Sequence, residues 1–412
     1  MTGRRIQLAA SVLAMVMIAN LQYAWTLFVK PIQEACGWKL SEIQWGFTLF
    51  IIFETWVMPM EGWLIDRMGP RIFLTVAGVL CGVGWTALGL ARELWQLYLF
   101  YAIAGVGAAF VYSGSIATAL KWFPDRRGLA SGIIAAGFGS GSALFIPLIA
   151  YLIRTTDYRF AFLSTGVLQG AVIVLAAQVL RNPGPAPAVD AQAAAAAAPA
   201  PSAVRRSREQ FNTWEMLRTP HFYLMYAMFV MMGVGGLLFT AQAAPVAREW
   251  GISMSALTLA LSLDRISNGA GRVFWGWISD RLGRETTMAL AFGLQALSLL
   301  SVLYLGRLSG VFFAVSLVLT FFTWGEIFAL FPSATGDYFG TRHAASNYSF
   351  LYSAKGVASI IGGGVAAMLF ERFGSWSAAI YGSAALAFAA GLLALALRAL
   401  PLPVKASTVS QV

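Results

Sequence analysis

Long apolar stretches, separated by short polar segments, follow one another from one end of the chain to the other. Each is about 20 residues long, which as an α-helix is enough to cross the ~30 Å hydrocarbon core of a bilayer. The first stretch follows MTGRRIQ and is too long for the apolar part of a cleaved signal peptide, so we interpret it as a retained span. The predicted spans are 6–28, 42–65, 72–91, 95–120, 128–153, 159–180, 221–246, 254–279, 285–305, 309–332, 344–369 and 376–398.

A segment rich in proline, alanine and arginine divides these twelve spans into two groups of six. It includes PGPAPAVDAQAAAAAAPAPSAVRRSREQ, a composition typical of a flexible linker, with helix in the alanine run. The sequence therefore predicts an all-α membrane protein built from two pseudo-symmetric six-helix bundles. Its four parts are a bundle at 1–180, the linker at 181–220, a second bundle at 221–400 and a tail at 401–412.

The composition indicates that lipid, rather than water, surrounds most of the chain. Hydrophobic residues make up 58% of it and charged residues only 11%, whereas soluble domains carry about 25% charged residues. A net charge of +10 would suit a nucleic-acid-binding protein. However, Lys and Arg concentrate in the loops on one side of the predicted spans, as is typical of cytoplasmic loops. We therefore predict no nucleic acid partner, and place both termini and the linker in the cytoplasm.

Two short motifs occur once in each half of the chain. GWLIDRMG at 62–69 recurs as GWISDRLG at 276–283. KWFPDRRG at 121–128 has a looser counterpart, DYFGTRHA, at 337–344. Each pair follows an even-numbered span with nearly the same separation, which indicates duplication of a six-helix unit.

The first motif resembles the signature loop of the major facilitator superfamily, which joins spans 2 and 3 and recurs between spans 8 and 9. The resemblance implies two bundles that rock about a central site. By residue type, the glycines would permit close helix approach, the aspartates would cap neighbouring helices, and the arginines would form charge pairs that hold one gate shut. These motif residues are Gly62, Asp66, Arg67, Arg71, Gly276, Asp280, Arg281 and Arg284.

Three cations and three carboxylates lie inside the predicted spans, where a charged side chain costs about 2.5–3.5 kcal/mol on insertion scales. They are Arg265, Arg272, Lys355, Glu54, Asp264 and Glu326. Arg272 lies in span 8 and Lys355 near the middle of span 11, and Gly269 and Gly271 would leave room beside the arginine. Two cations that face one cavity would bind a small carboxylate, the arginine through a bidentate fork and the lysine as a point charge.

Longer segments resemble the oxalate–formate antiporter family of bacteria. They are LQYAWTLF (21–28), KWFPDRRGLASG (121–132), FFTWGEIFALFPS (321–333) and NYSFLYSAKGVASIIGGG (347–364). In that family an arginine of span 8 and a lysine of span 11 bind the dicarboxylate, and Arg272 and Lys355 occupy those positions. The lining of the family's cavity matches Gln22, Tyr23, Tyr112, Trp324 and Tyr352, although the last stands where tryptophan is familiar. Phe328 stands at a further lining position where tyrosine is expected.

The additional carboxylates leave two interpretations open. In the first, Asp264 and Arg265 pair locally while burial keeps Glu54 and Glu326 uncharged, so a positive site remains for a dianion. In the second, one of these carboxyls gains and loses a proton during the cycle and couples transport to protons.

Two transport functions remain from the sequence. The first is exchange of a dicarboxylate such as oxalate for a monocarboxylate such as formate; the alternative is proton-coupled symport of pyruvate- or lactate-like monocarboxylates. The two-half repeat disfavours a channel, and the sequence has no His cluster, G-x-S-x-G or Walker motif to favour an enzyme. Cys36 and Cys81 predict neither a disulfide framework nor a metal site. We expect a monomer without a cofactor in a bacterial inner membrane.

Overall fold

A computed structural model describes residues 2–123, 127–183 and 204–405. The alanine run of the predicted linker and residues 406–412 of the tail lie outside the described residues. Some side chains inside the helices are also not described, and the predictions for Gly62 and Asp66 therefore lie outside the described part. These side chains are Thr2, Gly62, Trp63, Asp66, Arg127, Gly128, Leu129 and Ser131.

The described part of the first half is built from helices joined by short loops. They are α1 (Thr2–Tyr23), α2 (Trp25–Cys36), α3 (Leu40–Trp56), α4 (Met58–Leu88), α5 (Leu94–Trp122), α6 (Arg127–Thr155) and α7 (Tyr158–Val179). The first predicted span contains a break at Ala24, between α1 and α2. The second contains a break at Val57, between α3 and α4.

The described part of the second half is helical as well, and its helices are interrupted more often. They are α8 (Thr213–Leu217), α9 (Pro220–Glu249), α10 (Met254–Leu282), α11 (Arg284–Tyr304), α12 (Gly310–Trp324), α13 (Ile327–Phe339), α14 (Ala344–Tyr352), α15 (Ala354–Ser359), a π-helix (Ile360–Val365), α16 (Ala366–Phe373) and α17 (Ser377–Ala399). The predicted span 309–332 therefore breaks between α12 and α13, and 344–369 breaks at Ser353 and again at the π-helix.

Within the described residues, ten helical stretches are long and apolar enough to cross a membrane. Two predicted spans, 42–65 and 254–279, are not among them. In the first, α3 ends after 17 residues. In the second, α10 carries Asp264, Arg265 and Arg272, and so it is the charge inside the helix that lowers its hydropathy. The chain is thus an all-helical protein with many candidate membrane spans.

Helices from the two halves pack directly against each other. α6 packs against α10, and α3 packs against α15 and the π-helix, while α2 packs against α9. Within each half the densest packing is of α4 with α5 and α7, and of α11 with α17. Of these helices, α3, α10 and α15 carry most of the intramembrane charges described below.

The last glycine of the duplicated motif adopts the same backbone conformation in both halves. Gly69 has φ 75° and ψ 160°, and Gly283 has φ 87° and ψ 157°. A positive φ strongly favours glycine, because a side chain would clash with the backbone there. The repeat therefore requires glycine at these two positions.

Residues 204–220 of the predicted linker are attached to the second half. α8 lies within this segment, and Arg206 forms an ion pair of 3.0 Å with Asp337 of α13. Arg205 donates to the backbone carbonyls of Arg398 and Leu400, at 2.6 and 2.7 Å. The expectation of a flexible linker is therefore wrong for residues 204–220.

Candidate functional site

Lys355 lies at the meeting point of the two halves and is fully buried. Its Nζ donates to Gln22 Oε1 at 2.8 Å, to Glu54 Oε2 at 2.8 Å and to the Tyr352 hydroxyl at 3.3 Å. An ammonium group has three donors, and all three are used here. Since Gln22 and Glu54 belong to the first half, this lysine joins α15 to α1 and α3.

Breaks in the helices bring these partners together. α1 ends at Tyr23, one residue after Gln22, and α14 ends at Tyr352, with α15 beginning two residues later. The prediction that Tyr352 shares a face with Lys355 is confirmed by their hydrogen bond.

Arg272 is also buried, with 5% of its surface exposed, but none of the ion pairs in the described part of the chain involves it. Its Nε donates to Asn268 Oδ1 at 3.1 Å, one helical turn earlier, and its Nη1 donates to the Ala135 carbonyl of α6 at 3.0 Å. Its Nη2 has no hydrogen-bond partner among the described residues. The guanidinium therefore keeps a donor and its full charge for a ligand.

Glycine from the first half, rather than from α10, makes room for Arg272. A Cβ built at Gly139 would lie 3.1 Å from the arginine Nε. At Gly271 a Cβ would instead meet the Phe322 carbonyl at 2.2 Å, and at Gly269 it would meet Ser140 at 3.3 Å. The expectation that the neighbouring glycines of α10 leave room for the arginine is therefore wrong, since those glycines allow close contact between helices.

Two phenylalanine rings lie close to both cations. The Arg272 guanidinium carbon is 4.4 Å from the Phe328 ring centroid, and Lys355 Nζ is 5.8 Å from it. The same two groups are 6.0 Å and 5.7 Å from the centroid of Phe138. We call Arg272, Lys355, Glu54, Phe138 and Phe328 the central site.

Most of the predicted aromatic lining surrounds the central site. Tyr112 stacks on Tyr352 with 5.8 Å between centroids, and it meets Phe138 edge to face at 5.6 Å. Trp324 and Phe328 are in edge-to-face contact at 5.0 Å, as their spacing predicted. The sequence analysis missed Phe138, because a phenylalanine in an apolar span has no distinguishing signal. It also missed Asn268, although an amide one turn before an intramembrane arginine is such a signal.

The second buried ion pair is local. Asp264 and Arg265 are neighbours on α10, both almost fully buried, and the arginine Nε bonds to the aspartate Oδ1. The guanidinium lies between two rings, 3.8 Å from the centroid of Phe321 and 4.2 Å from that of Tyr23. The predicted local pairing is confirmed. Tyr23 therefore packs on this pair as well as on Phe138, at 5.3 Å.

Two further carboxyls are buried without a cation partner among the described residues. Glu326 lies in the break between α12 and α13 and is fully buried. Glu61, near the start of α4, is 1% exposed; the Ser113 side chain lies beside it, but no cation pairs with it in the described part. Glu61 was overlooked in the sequence, although it falls inside the predicted span 42–65.

The arginines of the duplicated motif make contacts within their own halves. Arg284 pairs with Asp280 at 2.7 Å and with Asp337 at 2.9 Å. Arg281 stacks on the Trp277 ring at 3.7 Å, and Arg71 donates to the neutral Gln178 side chain at 2.9 Å. Arg67 lies exposed at the surface. Charge pairing is therefore seen at Arg284, and the prediction that Arg71 and Arg281 form charge pairs is wrong among the described contacts.

Gly276 does not mark a close approach between helices. A Cβ at this position would come no nearer than 3.9 Å to the Cβ of Ala329, which is an ordinary contact. The expectation of close approach is therefore wrong here.

Hydrogen bonds between the halves close the molecule on the face opposite the termini, which we call the outer face. The Ser41 backbone and hydroxyl both donate to the Glu371 carboxylate at 2.8 Å. Gln44 donates to the Ala241 carbonyl at 2.8 Å and to Gln242 Oε1 at 3.0 Å. Together with the burial of Arg272 and Lys355, these bonds indicate a conformation in which the central site is closed towards the outer face.

Glycines allow this close contact between α3 and the helices of 354–373. A Cβ at Gly356 would lie 2.5 Å from Trp56 Nε1, and one at Gly364 would lie 2.7 Å from the Trp45 ring. Both distances are shorter than any real Cβ contact. A side chain at either position would therefore force the facing tryptophan to move.

A chain of apolar helices with buried charges at the junction of two related halves defines a membrane transporter rather than an enzyme. The chain belongs to the Major Facilitator Superfamily, whose model matches residues 10–244 and again residues 224–411. It is a multi-pass membrane transporter.

Individual relatives point to carriers of small anions. The chain is 38% identical to the oxalate:formate antiporter of Oxalobacter formigenes over 392 residues, which is 95% of this chain and 91% of that protein. It is 26% identical to apicoplast pyruvate carrier 1 of Toxoplasma gondii, over 78% of this chain and 68% of the carrier. It is 24% identical to monocarboxylate transporter 12 of Xenopus laevis, over 78% and 72%.

Proposed function

We propose that this protein carries small carboxylates by alternating access, exchanging a dicarboxylate for a monocarboxylate at the central site. One observation carries the proposal most: Arg272 and Lys355 lie beside the same two rings, buried between the two halves. A small anion would be bound at its ends by the two cations, while the aromatic side chains exclude water.

This function also implies more membrane spans than the ten that meet the criteria of length and hydropathy. In our proposal 42–65 and 254–279 also cross the bilayer, which gives twelve spans in two six-helix bundles. The charges in these two spans are tolerated because they face the junction of the bundles rather than lipid. The chain would work as a monomer in a bacterial inner membrane, with both termini in the cytoplasm.

The 38% identity to an oxalate:formate antiporter over nearly the whole chain favours a dicarboxylate and a monocarboxylate as the exchanged anions. Trp324 and the two cations are shared with the pattern of that family, and a small flat anion suits a site bounded by rings. Phe138 and Phe328 offer no hydroxyl, so polar recognition depends on the cations, Gln22 and the tyrosines.

A second candidate, proton-coupled symport of a monocarboxylate, is favoured by one contact. The Glu54 carboxylate already compensates the charge of Lys355, so Arg272 is the cation of the central site whose charge remains uncompensated. A single positive charge suits a monoanion, and the more distant pyruvate and monocarboxylate carriers are consistent with it.

Counterflow in proteoliposomes with labelled oxalate and formate tests the proposal. An exchanger requires anion on the far side, whereas a symporter does not. Lys355→Gln is expected to lower oxalate exchange at least about 30-fold, because removing one partner of a buried charge interaction costs about 2–5 kcal/mol. The matched control is Lys405→Gln, whose ammonium forms a surface pair with Glu215. Unchanged exchange in Lys355→Gln would overturn the assignment of the site.

A further inference from the structure

Glu54 is a carboxylate in the place where a substrate carboxylate would bind. It lies on α3, is 1% exposed, and holds the Lys355 ammonium at 2.8 Å through Oε2. Its other oxygen, Oε1, has no hydrogen-bond partner among the described residues. The segments of the resembling family do not include this position, so neither the resemblance nor the fold assigns it a role.

We propose that Glu54 is an exchangeable counter-ion that gives the two substrate-loaded forms the same charge. It is ionised when a monocarboxylate occupies the central site and protonated when a dicarboxylate does. The transporter therefore moves one proton together with each dicarboxylate. This inference rests on the proposed exchange function and adds the stoichiometry of protons and charge.

The charges around the site lead to this stoichiometry. Asp264 and Arg265 cancel each other within α10. Glu61 and Glu326 are counted as uncharged, because both are buried without a cation in the described part and an unpaired ionised carboxylate is strongly disfavoured there. Arg272 and Lys355 then contribute two positive charges, which Glu54 reduces to one net positive charge when it is ionised.

Both loaded forms are neutral under this arrangement. A monoanion balances the remaining positive charge while Glu54 stays ionised. A dianion balances both cations only if the Glu54 carboxylate takes up a proton. A central site without net charge favours the closed state, because the closed site is surrounded by a medium of low dielectric constant in which net charge is costly.

The contacts of Lys355 require displacement of a partner when a dianion binds. All three ammonium donors are occupied by Gln22, Glu54 and Tyr352. A substrate carboxylate that takes a donor competes best with the group of the same chemistry, the Glu54 carboxylate. Once displaced, this carboxylate would be buried without a cation, and protonation relieves that cost.

The ionisable neighbours of Glu54 come from several helices. The charged groups that act on it are Lys355 and Arg272. The uncharged ionisable side chains within its electrostatic reach, from the helices packed around α3, are Tyr23, Tyr101, Tyr112 and Tyr352, with the carboxyl of Glu61 on α4. Since the two cations are also the proposed ligands of the substrate, substrate binding changes the field at Glu54 directly.

The proton and charge balance is explicit. A dicarboxylate dianion and one proton enter together from one side, the proton as part of the Glu54 carboxyl. On the other side the dianion leaves, the proton dissociates, and a monoanion binds in its place. Each turnover therefore transfers one negative charge in each direction, and one proton accompanies the dicarboxylate.

Proteoliposomes loaded with formate and diluted into oxalate test the stoichiometry. We expect the lumen to acidify by one proton for each oxalate taken up, read by an enclosed pH dye. The rate should not respond to a membrane potential set with potassium and valinomycin. In Glu54→Gln the acidification should disappear and the rate should become potential-dependent, because each turnover now moves one net charge.

Glu61→Gln is the matched control, since it removes a buried carboxyl of the same type on the neighbouring helix and should leave both readouts unchanged. Proton-free, potential-dependent exchange in the unaltered protein would overturn the inference while upholding exchange. Exchange that is absent for every carboxylate would overturn the proposed function and the inference with it.

A binding measurement covers the case in which Glu54→Gln does not fold. Calorimetric titration of the solubilised, unaltered protein with oxalate, in buffers of different ionisation enthalpy, should show uptake of about one proton per bound oxalate. Formate should show none. Equal proton uptake for both anions, or none for either, contradicts the role of Glu54.

Discussion

Two ion pairs in the described part of the chain are almost fully buried inside the predicted spans, and they differ in where their partners come from. Asp264 and Arg265 are adjacent in sequence, lie on one helix and are enclosed by Tyr23 and Phe321. Glu54 and Lys355 come from different halves, and the Lys355 ammonium also donates to Gln22 and Tyr352. The first pair therefore needs no contact between the halves, while the second forms only when the halves close.

This difference indicates what each pair does. The contact between Asp264 and Arg265 lies within one helix, so it need not break when one half moves against the other, although the Tyr23 ring that covers it belongs to the first half. The contact between Glu54 and Lys355 stabilises only the closed arrangement, and a substrate can replace it. Buried ion pairs that join moving parts are therefore better candidates for function than pairs within one helix.

The largest effect on stability is expected from breaking the local pair. Asp264→Asn leaves the Arg265 guanidinium buried between two rings without a carboxylate, which costs about 3–5 kcal/mol. Thermal unfolding in detergent should show a strongly lowered Tm. The double variant Asp264→Asn/Arg265→Gln should recover most of the loss, and a double variant as unstable as the single one would contradict a purely structural pair.

Breaking the pair between the halves should cost less. In Glu54→Gln, Lys355 keeps Gln22 and Tyr352 as acceptors, so we expect a loss of about 1–3 kcal/mol. Added oxalate should restore much of the Tm, because the anion replaces the missing carboxylate. The same anion should not raise the Tm of Asp264→Asn beyond the shift that it gives the unaltered protein. Equal responses in both variants would remove the distinction between the pairs.

A contact that closes the outer face should have a smaller effect, on conformation rather than folding. Glu371→Gln weakens the two bonds from Ser41, worth about 1 kcal/mol, which is roughly a fivefold change in an equilibrium. A single cysteine placed at the buried Ala241, with both native cysteines replaced, should react correspondingly faster with a thiol reagent. Glu34→Gln, on an exposed pair with Lys30, is the control and should leave that rate unchanged.

The smallest effect is expected at a surface pair, Lys405 with Glu215 at 2.9 Å. The pKa of Glu215 is lowered, first by the hydrogen bond from the Asn212 backbone and then by Lys405. Its stabilising contribution is therefore present above the ordinary pKa of glutamate and is lost as the pH falls through the lowered value. Lys405→Gln should change the free energy of unfolding by less than about 1 kcal/mol. A larger change would show that the docked linker depends on this pair.

Much of the site was predictable because charge in an apolar span is conspicuous. Arg272, Lys355, Glu54 and the local pair all follow from that signal. Phe138 does not, since its role depends on how α6 packs against α10. Which carboxyl meets Lys355 was likewise not predictable, because Glu54 is 301 residues away in the chain and the contact exists only in three dimensions.

The helices were predicted as continuous spans, and the structure interrupts several of them. The break at Ser353 and the π-helix at Ile360–Val365 lie in a stretch whose periodicity is that of an ordinary helix. Such breaks depend on contacts with other helices, which supply partners for the freed backbone groups. The Gly363 carbonyl, for example, accepts from Gln242 at 3.0 Å.

Substitution of the glycines that face α3 would change the stability of the closed state. A methyl group added at Gly364 would clash with the Trp45 ring on the outer side, away from the residues of the central site. At Gly356, which directly follows Lys355 in the chain, a methyl group would clash with Trp56. Substitutions at these two glycines would therefore have separate effects in the absence of ligand. One at Gly364 would disfavour the closed state, and one at Gly356 would deform the binding site.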